Sequence, residues 1–128
     1  MPRDKKTTAS FDVDPQRGFT PLCPQELPIH GGDEIAEELN SQADFAAFRL
    51  VSKDEHTAEA PWITCDLKAV MTPVAGDHPN PDVPWPPHCG VGTEGNRLIP
   101  GPPEEKDYDL VVLKRVDPAK HPYGACYP

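Results

Sequence analysis

Apolar and polar residues alternate over residues 9–14, which read Ala-Ser-Phe-Asp-Val-Asp. A period of two places Ala9, Phe11 and Val13 on one face of an extended segment. The pattern predicts a short strand that ends at Asp14 and runs into Pro15. Residues 15–32 hold four prolines and three glycines, the composition of a loop. The period then lengthens. Ile35, Leu39 and Ala43 recur at helical spacing and predict a helix with those three as its buried stripe. Asp33 is the expected N-cap, and Glu34 and Glu37 suit the positive end of the helix dipole. Residues 47–52 predict a second strand, followed by the polar run Lys53-Asp54-Glu55-His56. Residues 109–114, Asp-Leu-Val-Val-Leu-Lys, predict a third. Its unbroken apolar run suits a strand covered on both faces of a parallel sheet.

The order strand, helix, strand, long loop, strand points to an α/β protein with a parallel sheet, an incomplete doubly wound arrangement of about three strands. The strands end in Asp14, in Asp54 and His56, and in Lys114. A parallel sheet brings those ends to one edge, where open α/β sheets bind ligands. Between the second and third strands, residues 57–106 contain ten prolines and little periodicity. A loop of that length is usually functional or disordered. Trp62, Trp85, His78 and His88 lie in it and favour an ordered binding loop.

Composition narrows the function classes. The chain has 128 residues, 37% of them apolar, enough for one domain with a modest core. A net charge of −9 argues against a nucleic-acid binder and against anionic membrane surfaces. No apolar run is long enough to span a bilayer. Residues 1–8 form a polar tail, and no apolar signal-peptide core follows it, so a cytoplasmic location is expected. Cys23, Cys65, Cys89 and Cys126 form no Cys-x-x-Cys pair and are expected as free thiols.

Asp54-x-His56 puts a carboxylate and an imidazole on one side of an extended segment. His88 sits in the rigid stretch Trp85-Pro86-Pro87-His88-Cys89. Two histidines and one carboxylate suit a divalent metal: zinc first, with iron and manganese as alternatives. Asp-x-His triplets also occur by chance, so the surrounding residues decide their weight.

Those surroundings resemble a known family. Asp14-Pro15-Gln16-Arg17-Gly18-Phe19 is similar to the Asp-x-Gln-x-x-Phe motif that opens nicotinamidases and the wider isochorismatase-like cysteine hydrolases. Gly31-Gly32-Asp33-Glu34-Ile35 looks like the start of their first helix. Ser52-Lys53-Asp54-Glu55-His56 resembles their metal-binding Asp-x-His. The segment from Trp85 to Gly95 is close to the nicotinamidase signature Trp-Pro-x-His-Cys-x-x-Gly-Thr-x-Gly. Lys114 and Tyr123-Gly124-Ala125 follow where the family has its catalytic lysine and the next motif.

The resemblance implies a Rossmann-like three-layer sheet and a hydrolase that converts nicotinamide to nicotinate and ammonia in NAD salvage. By matching positions, Asp14 takes a proton from a cysteine thiol and Lys114 favours the thiolate. A metal at Asp54, His56 and His88 holds the pyridine nitrogen, and Phe19 and Trp85 form aromatic walls.

The pattern departs from the family in three places. The segment that carries the nucleophilic cysteine is not found before Pro128, so residues 9–128 read as a C-terminally truncated isochorismatase-like domain. No further histidine follows Asp54-x-His56 closely, and Arg115 stands where many relatives have glycine. The resulting expectation is a partner, either another copy of the chain or a complementing C-terminal chain. The alternative reading is a non-catalytic metal-binding or interaction module derived from such an enzyme.

Overall fold

A computed structural model of the chain describes residues 4–73, 83–114 and 124–125. His78, Arg115, His121, Tyr123 and Cys126 lie outside the described residues. A 3-10 turn over Lys5–Thr7 leads in, with the Asp4 side chain accepting from the Lys6 N–H at 2.9 Å. Strands β1 (Ala9–Val13), β2 (Phe48–Asp54) and β3 (Leu110–Lys114) form one sheet in the order β1-β2-β3. Both pairings are parallel. Parallel neighbours need long crossovers, and residues 14–47, with helix α1 (Ala36–Ala43), and residues 55–109 supply them. No helix among the described residues is long and apolar enough to cross a membrane.

Burial in β1 runs against its hydrophobicity. Ser10 and Asp12 are buried, whereas Phe11 and Val13 are 40% and 63% exposed. The register pairs Phe11 with Leu50 and Leu50 with Leu110, so these three share the open face with Val13 and Phe48. The opposite face closes over charge. Asp12 is fully buried and takes hydrogen bonds from Arg49 Nε at 2.9 Å and from the Tyr108 hydroxyl at 2.7 Å. Arg49 lies over the Tyr108 ring, 5.5 Å from its centroid. A buried charge is costly unless it is paired; Arg49 and Tyr108 both engage Asp12 Oδ2, while Oδ1 is buried without a hydrogen-bond partner among the described residues.

Three sequence expectations change here. Asp33 does not cap α1: Ile35 is the N-cap residue, and no side chain caps the turn. The stripe Ile35, Leu39 and Ala43 is not buried, since Ile35 is exposed and Leu39 and Ala43 are only half-buried. α1 is instead held by polar bonds, with Asn40 donating to the Gly101 carbonyl at 3.2 Å and accepting from Arg49 at 2.9 Å. β3 is not covered on both faces either, because Leu110 and Leu113 stay exposed. Val111 and Val112, between them, are half-buried.

Candidate metal and ligand site

The core lies at the C-terminal edge of the sheet. In β2 the burial rises along the strand, and Val51 to Asp54 are all buried. Asp54 ends β2 and Lys114 ends β3, and the two are register partners. Beyond β1, Asp14 turns with φ 48°, a left-handed backbone that Asp tolerates better than most residues. Ser52 fixes that turn: its hydroxyl donates to Asp14 Oδ1 at 2.6 Å, and its carbonyl accepts from the Asp14 N–H at 3.1 Å.

The long loop returns to this edge. His56 forms a parallel bridge with Gly90, and its N–H donates to the Cys89 carbonyl at 3.3 Å. Cys89 also has φ 48°, which turns the chain directly after His88. The two tryptophans are brought together by a second bridge, Ile63 with Trp85, in which the Trp85 N–H donates to the Trp62 carbonyl at 2.7 Å.

Asp54, His56 and His88 are all buried, and one donor atom from each lies within 4.8 Å of the others. His56 Nε2 is 3.0 Å and His88 Nε2 3.8 Å from Asp54 Oδ2. Donors about 2.1 Å from an ion sit roughly 3.0–3.4 Å apart in octahedral or tetrahedral geometry. The His56 separation falls at the lower end of that range and the His88 separation somewhat beyond its upper end. His88 Nδ1 lies 2.6 Å from the Pro86 carbonyl. A carbonyl only accepts, so Nδ1 carries the proton and Nε2 keeps its lone pair toward Asp54. Burial, opposed by the Pro86 bond and reinforced by His56, holds His88 below the usual histidine range, which favours the neutral form a ligand needs. The donor set therefore fits a divalent metal.

The electrostatics of Asp54 and Lys114 are coupled. Burial works against the Asp54 charge, but the His56 bond and the charges of His56 and Lys114 prevail and lower its pKa. Lys114 pairs with Asp14 and lies 2.8 Å from Asp54 Oδ1. Burial works against its charge too, yet the two carboxylates raise its pKa. It stays a cation between two anions.

One cavity of about 210 Å³ is lined by Asp14, Phe19, Asp54, Trp85, His88 and Lys114, with His56, Trp62 and Leu27. All seven residues singled out in the sequence thus border one space. It is smaller than the roughly 300–1,000 Å³ common for drug-sized ligands, which suits a single ring. Phe19 lies against His88 with centroids 5.3 Å apart, and Trp62 meets His56 edge-on at 4.5 Å. Trp62 and Leu27 were not assigned to this wall from the sequence. The shared loop of Trp62 and Trp85 was the available signal for the first, and Leu27 carries none.

No cysteine among the described residues lines this cavity. Cys89 is fully buried, its thiol is pushed up by burial and then by Asp54 and Glu26, and its N–H donates to Glu26 at 2.8 Å. Cys23 is buried and likewise raised by burial, then by Glu26. Cys65 is exposed and borders a separate cavity of about 550 Å³ that shares only His56 and His88 with the first.

The sheet with charged residues gathered at its C-terminal edge defines a Rossmann-like α/β protein with a metal-competent cleft. The chain shares its fold with three solved structures. The Acinetobacter baumanii nicotinamidase pyrazinamidase is 22% identical, with a TM-score of 0.77 over 96% of this chain and 58% of its own. The Pyrococcus horikoshii pyrazinamidase, solved in complex with zinc, is 24% identical, with a TM-score of 0.63 over 92% and 57%. The yeast nicotinamidase bound to the inhibitor nicotinaldehyde is 21% identical, with a TM-score of 0.61 over 91% and 61%. This chain therefore spans less than two thirds of the length of each of these three structures. No protein-family model and no curated protein sequence matches the chain.

Proposed function

We propose that this chain is the metal-bearing part of a nicotinamidase-like amidohydrolase that converts nicotinamide to nicotinate and ammonia in cytoplasmic NAD salvage. One observation carries the reading: Asp14, Lys114, the metal-competent triad and the aromatic walls all border a single ring-sized cavity. A zinc-bound pyrazinamidase and a nicotinamidase holding a pyridine aldehyde, both of the same fold, support it.

A divalent ion, zinc by preference, would be held by Asp54, His56 and His88 and would bind the pyridine nitrogen. Phe19 and Trp85 sandwich the ring and exclude water from its faces. Asp14 accepts the proton of a cysteine thiol, and the thiolate adds to the carboxamide carbon. The same proton leaves with the amine as ammonia. Water then cleaves the thioester, releasing nicotinate and returning the thiol. Lys114 lies beside Asp14, favours the thiolate and helps orient the group.

The thiol is the part that the described cavity does not supply. A complementing chain that also covers the open face of Phe11, Val13, Phe48 and Leu110 fits this reading best; a second copy of the chain is the other candidate. The same observation favours one rival, a non-catalytic metal-binding module that keeps the cleft and has lost the chemistry.

Ammonia release separates the two. The zinc-loaded chain is mixed with the C-terminal portion of a related nicotinamidase and given nicotinamide. Release that disappears in Asp14→Asn supports the amidohydrolase. Zinc and nicotinamide binding without any release supports the module.

A further inference from the structure

Two buried amides tie together the backbones that carry the metal-competent residues, and neither borders the ligand cavity. Gln16 is fully buried. Its Oε1 accepts from the Asp54 N–H at 2.6 Å, and its Nε2 donates to the Asp54 carbonyl at 2.8 Å. A carboxamide offers one acceptor and two donor hydrogens, so it engages both backbone groups of Asp54 as a neighbouring strand would. β1 stops at Val13, and the Gln16 side chain extends its hold on β2 past that end. The second Nε2 hydrogen goes to the Asn96 carbonyl at 3.0 Å.

Asn96 completes the tie. It is 9% exposed, and its Nδ2 donates to the same Asp54 carbonyl at 2.8 Å and to the Cys89 carbonyl at 3.4 Å. Its Oδ1 accepts from Lys53 Nζ at 3.3 Å. The segment before Phe19, the end of β2 and the peptide after His88 therefore meet at two side chains.

The ligand-bearing segments need such a tie. Asp54 belongs to a strand, but His56 and His88 belong to a loop with little regular structure. An ion that must order its own ligands binds weakly, whereas a preset donor set spares that entropy. Buried amides are also costly unless their polar atoms are satisfied, and Gln16 uses its oxygen and both hydrogens.

We infer that Gln16 and Asn96 are positioning residues of the metal site, fixing Asp54, His56 and His88 relative to one another before the ion arrives. The inference rests on the metal reading above. It is tested by chelator-competition titration of Zn²⁺ and by the visible spectrum of the Co²⁺-loaded full chain. Gln16→Met keeps the volume and removes the bonds; Asn96→Ser removes the Asn96 arm. Gln16→Glu keeps the acceptor for the Asp54 N–H and loses the donors. Tyr108→Phe is the control, since it deletes a buried hydrogen bond to Asp12 away from the ligands.

Gln16→Met and Asn96→Ser are expected to weaken the metal about 10–100-fold, the usual range for outer-shell changes, and to shift the Co²⁺ spectrum. Gln16→Glu should fall between them and the wild type. Tyr108→Phe should lower the metal-free melting temperature and leave the metal Kd unchanged. Unchanged Kd and spectrum in the folded variants would overturn the inference, as would equal weakening in Tyr108→Phe. Failure of all three variants to fold even with excess zinc would assign the amides to the fold alone. A wild-type chain that binds no metal overturns the metal reading as well, whereas a metal-binding wild type with unmoved variants overturns this inference only.

Discussion

Lys114 Nζ lies 2.8 Å from Asp54 Oδ1, on the side of the carboxylate opposite the histidines. One carboxylate thus serves two neighbours: Oδ2 faces His56 and His88, and Oδ1 faces the lysine that also pairs with Asp14. Replacing Lys114 by Met leaves the Asp14 and Asp54 carboxylates without their shared cation. Losing one member of a buried charge pair costs about 3–5 kcal/mol. We expect a loss of that order in urea unfolding of the metal-free chain, partly recovered on adding zinc. A loss under about 1 kcal/mol would place the pair in high dielectric and undo its proposed role.

Gly18 and Gly95 should not tolerate a methyl group equally. A Cβ on Gly18 would collide with the Glu26 carboxylate and lie 2.8 Å from Cys89 Sγ and 3.0 Å from Cys89 N. The three atoms nearest a Cβ on Gly95 all belong to the Glu26 carboxylate, the far end of a side chain, which could move at the cost of its bond from the Cys89 N–H. Gly18→Ala is expected to cost about 1–3 kcal/mol by overpacking, and Gly95→Ala clearly less. Paired urea melts check the order, and a reversed ranking would refute it.

Alkaline stability is tied to Tyr108. Burial, then the bond to Asp12 and the charge of Asp12, raise its pKa in the folded chain. A raised folded value means that the folded state holds the proton longer than the unfolded state. The stabilisation is therefore complete below the unfolded value of about 10 and drains as pH rises beyond it. Stability measured between pH 9 and 11.5 should fall less steeply in Tyr108→Phe than in the wild type. Parallel slopes would show that this hydroxyl does not govern the limb.

Thiol chemistry should rank the cysteines by burial. Cys65 is exposed, while Cys23 and Cys89 are buried and raised. Brief alkylation of the native chain, mapped by peptide mass, should label Cys65 and spare Cys23 and Cys89 until denaturant is added. Rapid native labelling of Cys89 would reopen its exclusion as a nucleophile.

The strand ends were readable from the sequence because the polar residues Asp14, Asp54, His56 and Lys114 interrupt apolar runs at fixed places, and a parallel sheet converts that into proximity. The grouping of Asp54, His56 and His88 was legible mainly through the resemblance of Asp54-x-His56 and the Trp85 to Gly95 segment to a family's motifs, since an Asp-x-His triplet also occurs by chance. The helix stripe was misread because periodicity reports an amphipathic face and not whether anything covers it; Ile35 and Leu39 have the spacing without the partner. Asp12 was hidden by the reverse effect, a carboxylate buried beneath Arg49 and Tyr108. Gln16 stood out only as a member of the Asp-x-Gln-x-x-Phe motif and Asn96 not at all, and neither pattern shows their bond, which joins residues 80 apart.

Zinc titration of the full, metal-stripped chain by calorimetry, with elemental analysis of the product, is the most direct test of the metal centre at Asp54, His56 and His88. One equivalent should bind to the wild type and be lost in the double variant His56→Ala/His88→Ala. Either no binding to a folded wild-type chain, or an unchanged equivalent in the double variant, would contradict it.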